Sequence, residues 1–92
     1  MEENFLLDTI NETASLLYQN KEKEGILEVG RLLKKFQNMI QSMTEKQIGE
    51  AGEIALIMLK ELLEAYTRQD MLGMADCLMQ KAKLFVQFYY QN

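Results

Sequence analysis

The sequence predicts an all-α fold, an antiparallel four-helix bundle built from two helical hairpins, and three observations carry that expectation. Proline is absent and only five glycines occur in 92 residues, so the residues that punctuate turns and strands are nearly missing. Leu, Glu, Lys, Gln, Met and Ala dominate instead, and these are the strong helix formers. Apolar side chains also recur at spacings of three and four in four successive segments, the period of a half-buried helix.

The first helix is expected at about 3–19, where Leu6, Ile10, Ala14 and Leu17 share a face. The run Asn20 to Glu24 has no apolar residue. A full turn with nothing to bury favours a bend there, although an unbroken helix over 3–43 satisfies the same pattern. The second helix, 24–43, has a continuous seam: Ile26, Val29, Leu33, Phe36, Ile40 and Met43, with Arg31, Lys34, Lys35, Asn38 and Gln41 opposite. Such a seam resembles that of a bundle or coiled coil.

Thr44-Glu45-Lys46-Gln47 fits a capping box, with the Thr44 hydroxyl accepting from the amide three residues on and Gln47 reaching back. A third helix follows over 45–68, with Ile48, Ala51, Ala55, Leu59, Leu62, Leu63 and Tyr66 inward. Gly49 and Gly52 weaken its first turns, which suits either a close helix approach or a start nearer 50. Arg68-Gln69-Asp70 reads as a short turn with Asp70 as the next N-cap. The fourth helix, 70–90, has Met71, Ala75, Leu78, Ala82, Phe85 and Tyr89 inward. Residues 1–92 form one domain. A core this small supplies only a few kcal/mol, a shortage that self-association commonly relieves.

The stretch Leu62-Leu63-Glu64-Ala65-Tyr66, then Asp70, then Ala75-Asp76-Cys77-Leu78, resembles the end of a family of small Firmicute helical-hairpin proteins. The front half, Ile10-Asn11-Glu12 through Gly25-Ile26-Leu27 to Leu32-Leu33, is similar in spacing. The resemblance implies a helical fold and no particular activity. The sequence departs from the family after Leu78, where Met79-Gln80-Lys81-Ala82 replaces an acidic aromatic segment and a proline. The short hairpins are also similar, by analogy of fold alone, to flagellar export chaperones of the FliT type.

Composition excludes several chemistries. Histidine is absent, which removes the usual general base, nucleophile activator and metal ligand. Cys77 is the only cysteine, so neither an intrachain disulfide nor a cysteine metal knuckle can form. The five glycines, at 25, 30, 49, 52 and 73, do not have the spacing of a phosphate loop. The pairs Glu50/Glu53 and Glu61/Glu64 read as solvated carboxylates opposite the leucine stripe. No enzyme activity, catalytic residue, cofactor or metal is expected. With 14 carboxylates against 10 basic residues, and Lys34-Lys35 and Lys81/Lys83 scattered, no coherent basic face forms for nucleic acid. The acidic N-terminus is unlike a secretory signal, and no apolar run approaches the roughly 20 residues of a membrane span. A bacterial-type cytoplasm is the expected setting.

The remaining signal is surplus apolar surface, which usually marks a protein interface. Phe5 and Leu16 fall beside Glu12, Ile57 falls among Glu50, Glu53, Lys60 and Glu64, and Ile54 lies at the edge of its stripe. Cys77, Leu84 and Phe88 project off the inner stripe of the fourth helix, and Tyr90 joins Phe88 at the terminus. Met74, with Met39, Met43, Met58, Met71 and Met79, suits an adaptable groove for a partner helix or a filler of an irregular core. The expected role is therefore that of a non-catalytic interaction module. A homodimer is expected first, and a cytosolic adaptor or export-chaperone-like protein that binds an amphipathic helix second.

Overall fold

Capping chemistry cuts the chain into its helices. The computed structural model describes residues 2–91. It consists of α1 (Glu2–Tyr18), α2 (Glu22–Gln41), α3 (Glu45–Arg68), α4 (Met71–Cys77) and α5 (Lys83–Tyr89), the last two joined by a π-helical turn over Leu78–Ala82. The described residues contain no strand, so the fold is all-α. Backbone angles stay right-handed through Leu78 and Lys83, so α4, the π turn and α5 form one continuous rod.

Asn20 adopts the left-handed conformation, φ 60°. Its N–H donates to the Leu17 carbonyl at 3.1 Å, and the Lys21 N–H to the Leu16 carbonyl at 2.9 Å. That pair of bonds is a Schellman motif, and it separates α1 from α2, so no unbroken helix runs over 3–43. The same device ends α3: Gln69 has φ 55°, and Asp70 N–H reaches the Ala65 carbonyl at 2.8 Å. The predicted capping box forms at Thr44, with Gln47 N–H donating to Thr44 Oγ1 at 3.2 Å and Thr44 N–H to Gln47 Oε1 at 2.8 Å. Asp70 caps α4 as expected, accepting from Gly73 N–H at 2.9 Å.

α1 packs on α2 and α4, α3 packs on α2, α4 and α5, and α1 does not touch α3. Between them lies one core whose largest enclosed side chains include Phe36, Phe85, Ile10, Leu17, Met58 and Leu62. Phe36 meets Phe85 edge to face at 5.9 Å, a favoured aromatic geometry. Thr13, also enclosed, donates its hydroxyl to the Thr9 carbonyl at 2.8 Å. The radius of gyration, 12.4 Å, equals the ~12 Å expected of a compact chain of this length.

Close helix approach occurs at Gly25 and Gly30, not at the glycines of α3. A Cβ on Gly25 would stand 2.7 Å from Leu17 Cδ2, and one on Gly30 would stand 3.1 Å from the Tyr66 hydroxyl. A Cβ on Gly49 would meet nothing within 4 Å, and one on Gly52 only Ile48 of its own helix. α3 nonetheless starts at Glu45, because the capping box compensates for two poor helix formers.

The π turn changes which side of the last rod is buried. A regular helix advances about 100° per residue, and a π turn accommodates one extra residue, resetting the phase of everything beyond it by about that angle. Val86, outside the predicted stripe, is therefore completely enclosed, and Phe88 is turned toward solvent. Cys77, expected off the inner stripe, and Met74, offered as either a groove residue or a core filler, are core residues at 6% and 0% exposure. Before the turn, the buried arc is simply wider than the predicted stripe.

Candidate interaction surface

On α3 the inner row is Ala51, Ala55, Met58, Leu62 and Ala65, all buried. Three of these five are alanines, so the helix seats close against its neighbours. Its bulkier side chains flank that row: Leu56 is 65% exposed, Ile48 56% and Leu63 44%, with Leu59 and Tyr66 half-buried beside them. Ile48 and Leu63, predicted inward, are thus on the surface. Two adjacent rows on one helix both satisfy a three-four spacing (51, 55, 58, 62, 65 and 52, 56, 59, 63, 66). The predicted inner stripe takes members from both rows, and the alanines that mark the inner one are the signal that separates them.

The remaining predicted interface residues are divided by the structure. Phe5 is 69% exposed, and Ile57, Leu84 and Phe88 are also at the surface. Leu16, Ile54 and Tyr90 are half-buried, and Tyr90 packs edge to face on Tyr89 at 5.0 Å. Ile57 and Ile54 lie four and seven residues before Glu61, on the same helix flank. Glu61 accepts from Lys81 Nζ at 2.9 Å, so that ion pair marks the seam between α3 and the rod that also bears Leu84 and Phe88. Phe5 and Leu16 belong elsewhere. They line a shallow groove between α1 and α2 with Thr9, Glu12 and Leu27, about 420 Å³ in its larger part. The predicted residues therefore do not make one patch. Leu27, Leu56 and Leu72, all well exposed, were not foreseen.

The methionines do not form an open groove. Met39, Met58 and Met74 are in the core, Met43 and Met71 are half-buried against it, and Met79 is at the surface.

The polar groups fasten helices together. Lys35 Nζ donates to Glu2 Oε1 at 2.9 Å across α1 and α2, raising the pKa of the lysine and lowering that of the glutamate. The Tyr18 hydroxyl donates to Asp76 Oδ1 at 2.7 Å across α1 and α4, and this hydrogen bond raises the phenol pKa. Gln47 Nε2 donates to the Tyr89 carbonyl at 2.9 Å, so one side chain completes the α3 cap and pins the end of α5. The Cys77 thiol donates to the Met58 carbonyl at 3.6 Å, and burial pushes its pKa up to about 11, leaving it a neutral apolar filler. Among the described residues, no three His, Cys, Asp or Glu side chains converge as a metal-ligand set, and no helix is long and apolar enough to cross a membrane.

Comparisons with protein-family models, with curated proteins and with solved structures yield no match for this chain.

Proposed function

We propose that this chain is a non-catalytic protein-interaction module whose four rods form an antiparallel bundle in the cyclic order α1, α2, α3 and the α4–α5 rod, and whose first partner is a second copy of itself. The neighbour relations support this cyclic order, since α1 and α3 are the pair of rods without mutual contact. A single observation carries the functional reading: α3 turns alanines inward and leaves Ile48, Leu56 and Leu63 largely in water. Isolated exposed apolar residues are ordinary, but a row along one helix face is what association hides. Sedimentation velocity across micromolar concentrations is expected to show a reversible monomer–dimer equilibrium. A concentration-independent monomer retires the reading.

A second reading belongs to the groove between α1 and α2. Phe5, Leu16 and Leu27 form its apolar contacts; Glu12 and Glu24 line its Leu27 end, while at its Phe5 end Arg31 and Lys35 are paired with Glu28 and Glu2, a match for an amphipathic helix whose basic residues lie toward the Leu27 end. Titration of such a peptide should shift the NMR resonances of Phe5 and Leu27, and unmoved resonances exclude this groove.

A further inference from the structure

We infer that α3 is the helix at the twofold contact, laid antiparallel on α3 of a second copy; this rests on the self-association proposed above and assigns the face that performs it. The outer row of α3 reads Gly49, Gly52, Leu56, Leu59, Leu63, Tyr66, with the spacing of a coiled-coil seam. Small residues occupy its first third and large ones the rest. When Leu56 of one copy is set opposite Leu59 of the other in antiparallel sense, Gly52 comes opposite Leu63 and Gly49 opposite Tyr66. Leu63 and Tyr66 thus each meet a glycine, while Leu56 and Leu59 of the two copies pack on each other at the centre. Gly49 is open for this, since a Cβ there would meet nothing within 4 Å; at Gly52 a Cβ would stand 3.3 Å from the Ile48 side chain, which has to turn aside for the opposing Leu63. Two glycines inside a helix each cost about 1 kcal/mol of helix stability relative to alanine, a cost no intrachain contact explains.

The charges agree independently. Glu53 and Lys60, both exposed, each follow a residue of the row and share its flank. They stand two turns apart on their own helix, and among the described residues neither takes part in an ion pair. In the antiparallel register set by Leu56 and Leu59, Glu53 lies within about 3 Å along the axis of Lys60 of the second copy, and the twofold repeats that pair. A parallel alignment puts the charged flanks of the two copies on opposite sides of the seam, where Glu53 and Lys60 cannot pair. Pairing of this kind at the flanks of a seam selects orientation.

The test is sedimentation equilibrium on the whole chain, with circular dichroism melts as a check on folding. Lys60→Glu and Glu53→Lys each replace two attractions with two repulsions at exposed positions, so the dimer Kd is expected to rise about tenfold for either. The double variant, which swaps the charges, is expected to recover the wild-type Kd. Gly49→Leu should weaken the dimer while raising helix propensity, so its effect cannot come from unfolding. A wild-type dimer whose Kd ignores all four variants overturns the assignment of the face and leaves self-association standing. A wild-type chain that never associates overturns both.

Discussion

At the scale of single residues, the same substitution is expected to have opposite signs at two glycines. At Gly49 a methyl group enters open space, so Gly49→Ala should stabilise the monomer by about 0.5–1 kcal/mol, the helix-propensity gain. At Gly25 the methyl group collides with Leu17, which is itself locked in the core. There the overpacking cost of roughly 1–3 kcal/mol outweighs the same gain, and Gly25→Ala should lower stability in urea titrations. Cys77 supplies a pH prediction. Its folded pKa, about 11, exceeds the unfolded thiol value of about 8.5. The folded state therefore holds the proton more tightly, and this contribution is intact below pH ~8.5 and lost as pH rises through ~11. Cys77→Ala should remove that part of the alkaline loss of stability. The wild-type thiol should also resist alkylation near neutrality until the chain unfolds, because only the thiolate reacts.

At the scale of elements, the π turn makes a deletion testable. Gln80 is exposed within it. Removing Gln80 lets the turn relax to regular α-helix while α5 keeps its rotation, because one residue is what the π turn holds in excess. Phe85 and Val86 should stay buried, and Tm should change by only a few degrees. Deleting Lys60 from the regular stretch of α3 instead rotates Glu61–Arg68 by about 100° and takes Leu62 and Ala65 out of the core, so that variant should fail to fold cooperatively. The π turn also explains why the last rod was the least legible in the sequence. A single 100° projection places Met71, Ala75, Leu78, Ala82 and Phe85 correctly, but it cannot see a phase change caused by an added residue, so Val86 was missed and Phe88 was grouped with Cys77. Caps were read well because their chemistry is local: Thr44 with Gln47, and Asp70 with Gly73, need only a span of four residues. The short turn at Arg68-Gln69-Asp70 is legible too, but not the left-handed conformation of Gln69, because glycine usually fills that position and here it does not. The exposed apolar rows were less legible still, since exposure depends on which neighbouring helix covers a row and periodicity reports only that the row exists.

At the scale of the whole molecule, the C-terminal end is part of the folded unit. Tyr89 packs on Phe85 at 5.9 Å, its carbonyl receives Gln47, and its hydroxyl lies 3.3 Å from Ser42 Oγ. Removing residues 88–92 deletes these links within a single chain. The truncation should therefore cost roughly 2–4 kcal/mol and lower Tm at every protein concentration. A loss confined to dilute samples would instead place those residues between subunits. The dimer proposed through α3 also predicts a salt response. Its flanking pairs are exposed at the rim, so association should weaken modestly as ionic strength rises.

The alanine face of α3 has one more consequence, for how this chain tolerates change. In most helices the bulky positions are intolerant and the small ones permissive. Here a saturation scan scored on folding alone should give the reverse. Ala51 and Ala55, enclosed at 0% and 1% exposure, should reject every larger side chain, whereas Leu56 and Leu63 should accept Lys, Glu or Gln with little loss. Drift at those leucines would leave the fold untouched, so any selection that preserves them must act on what the folded chain meets.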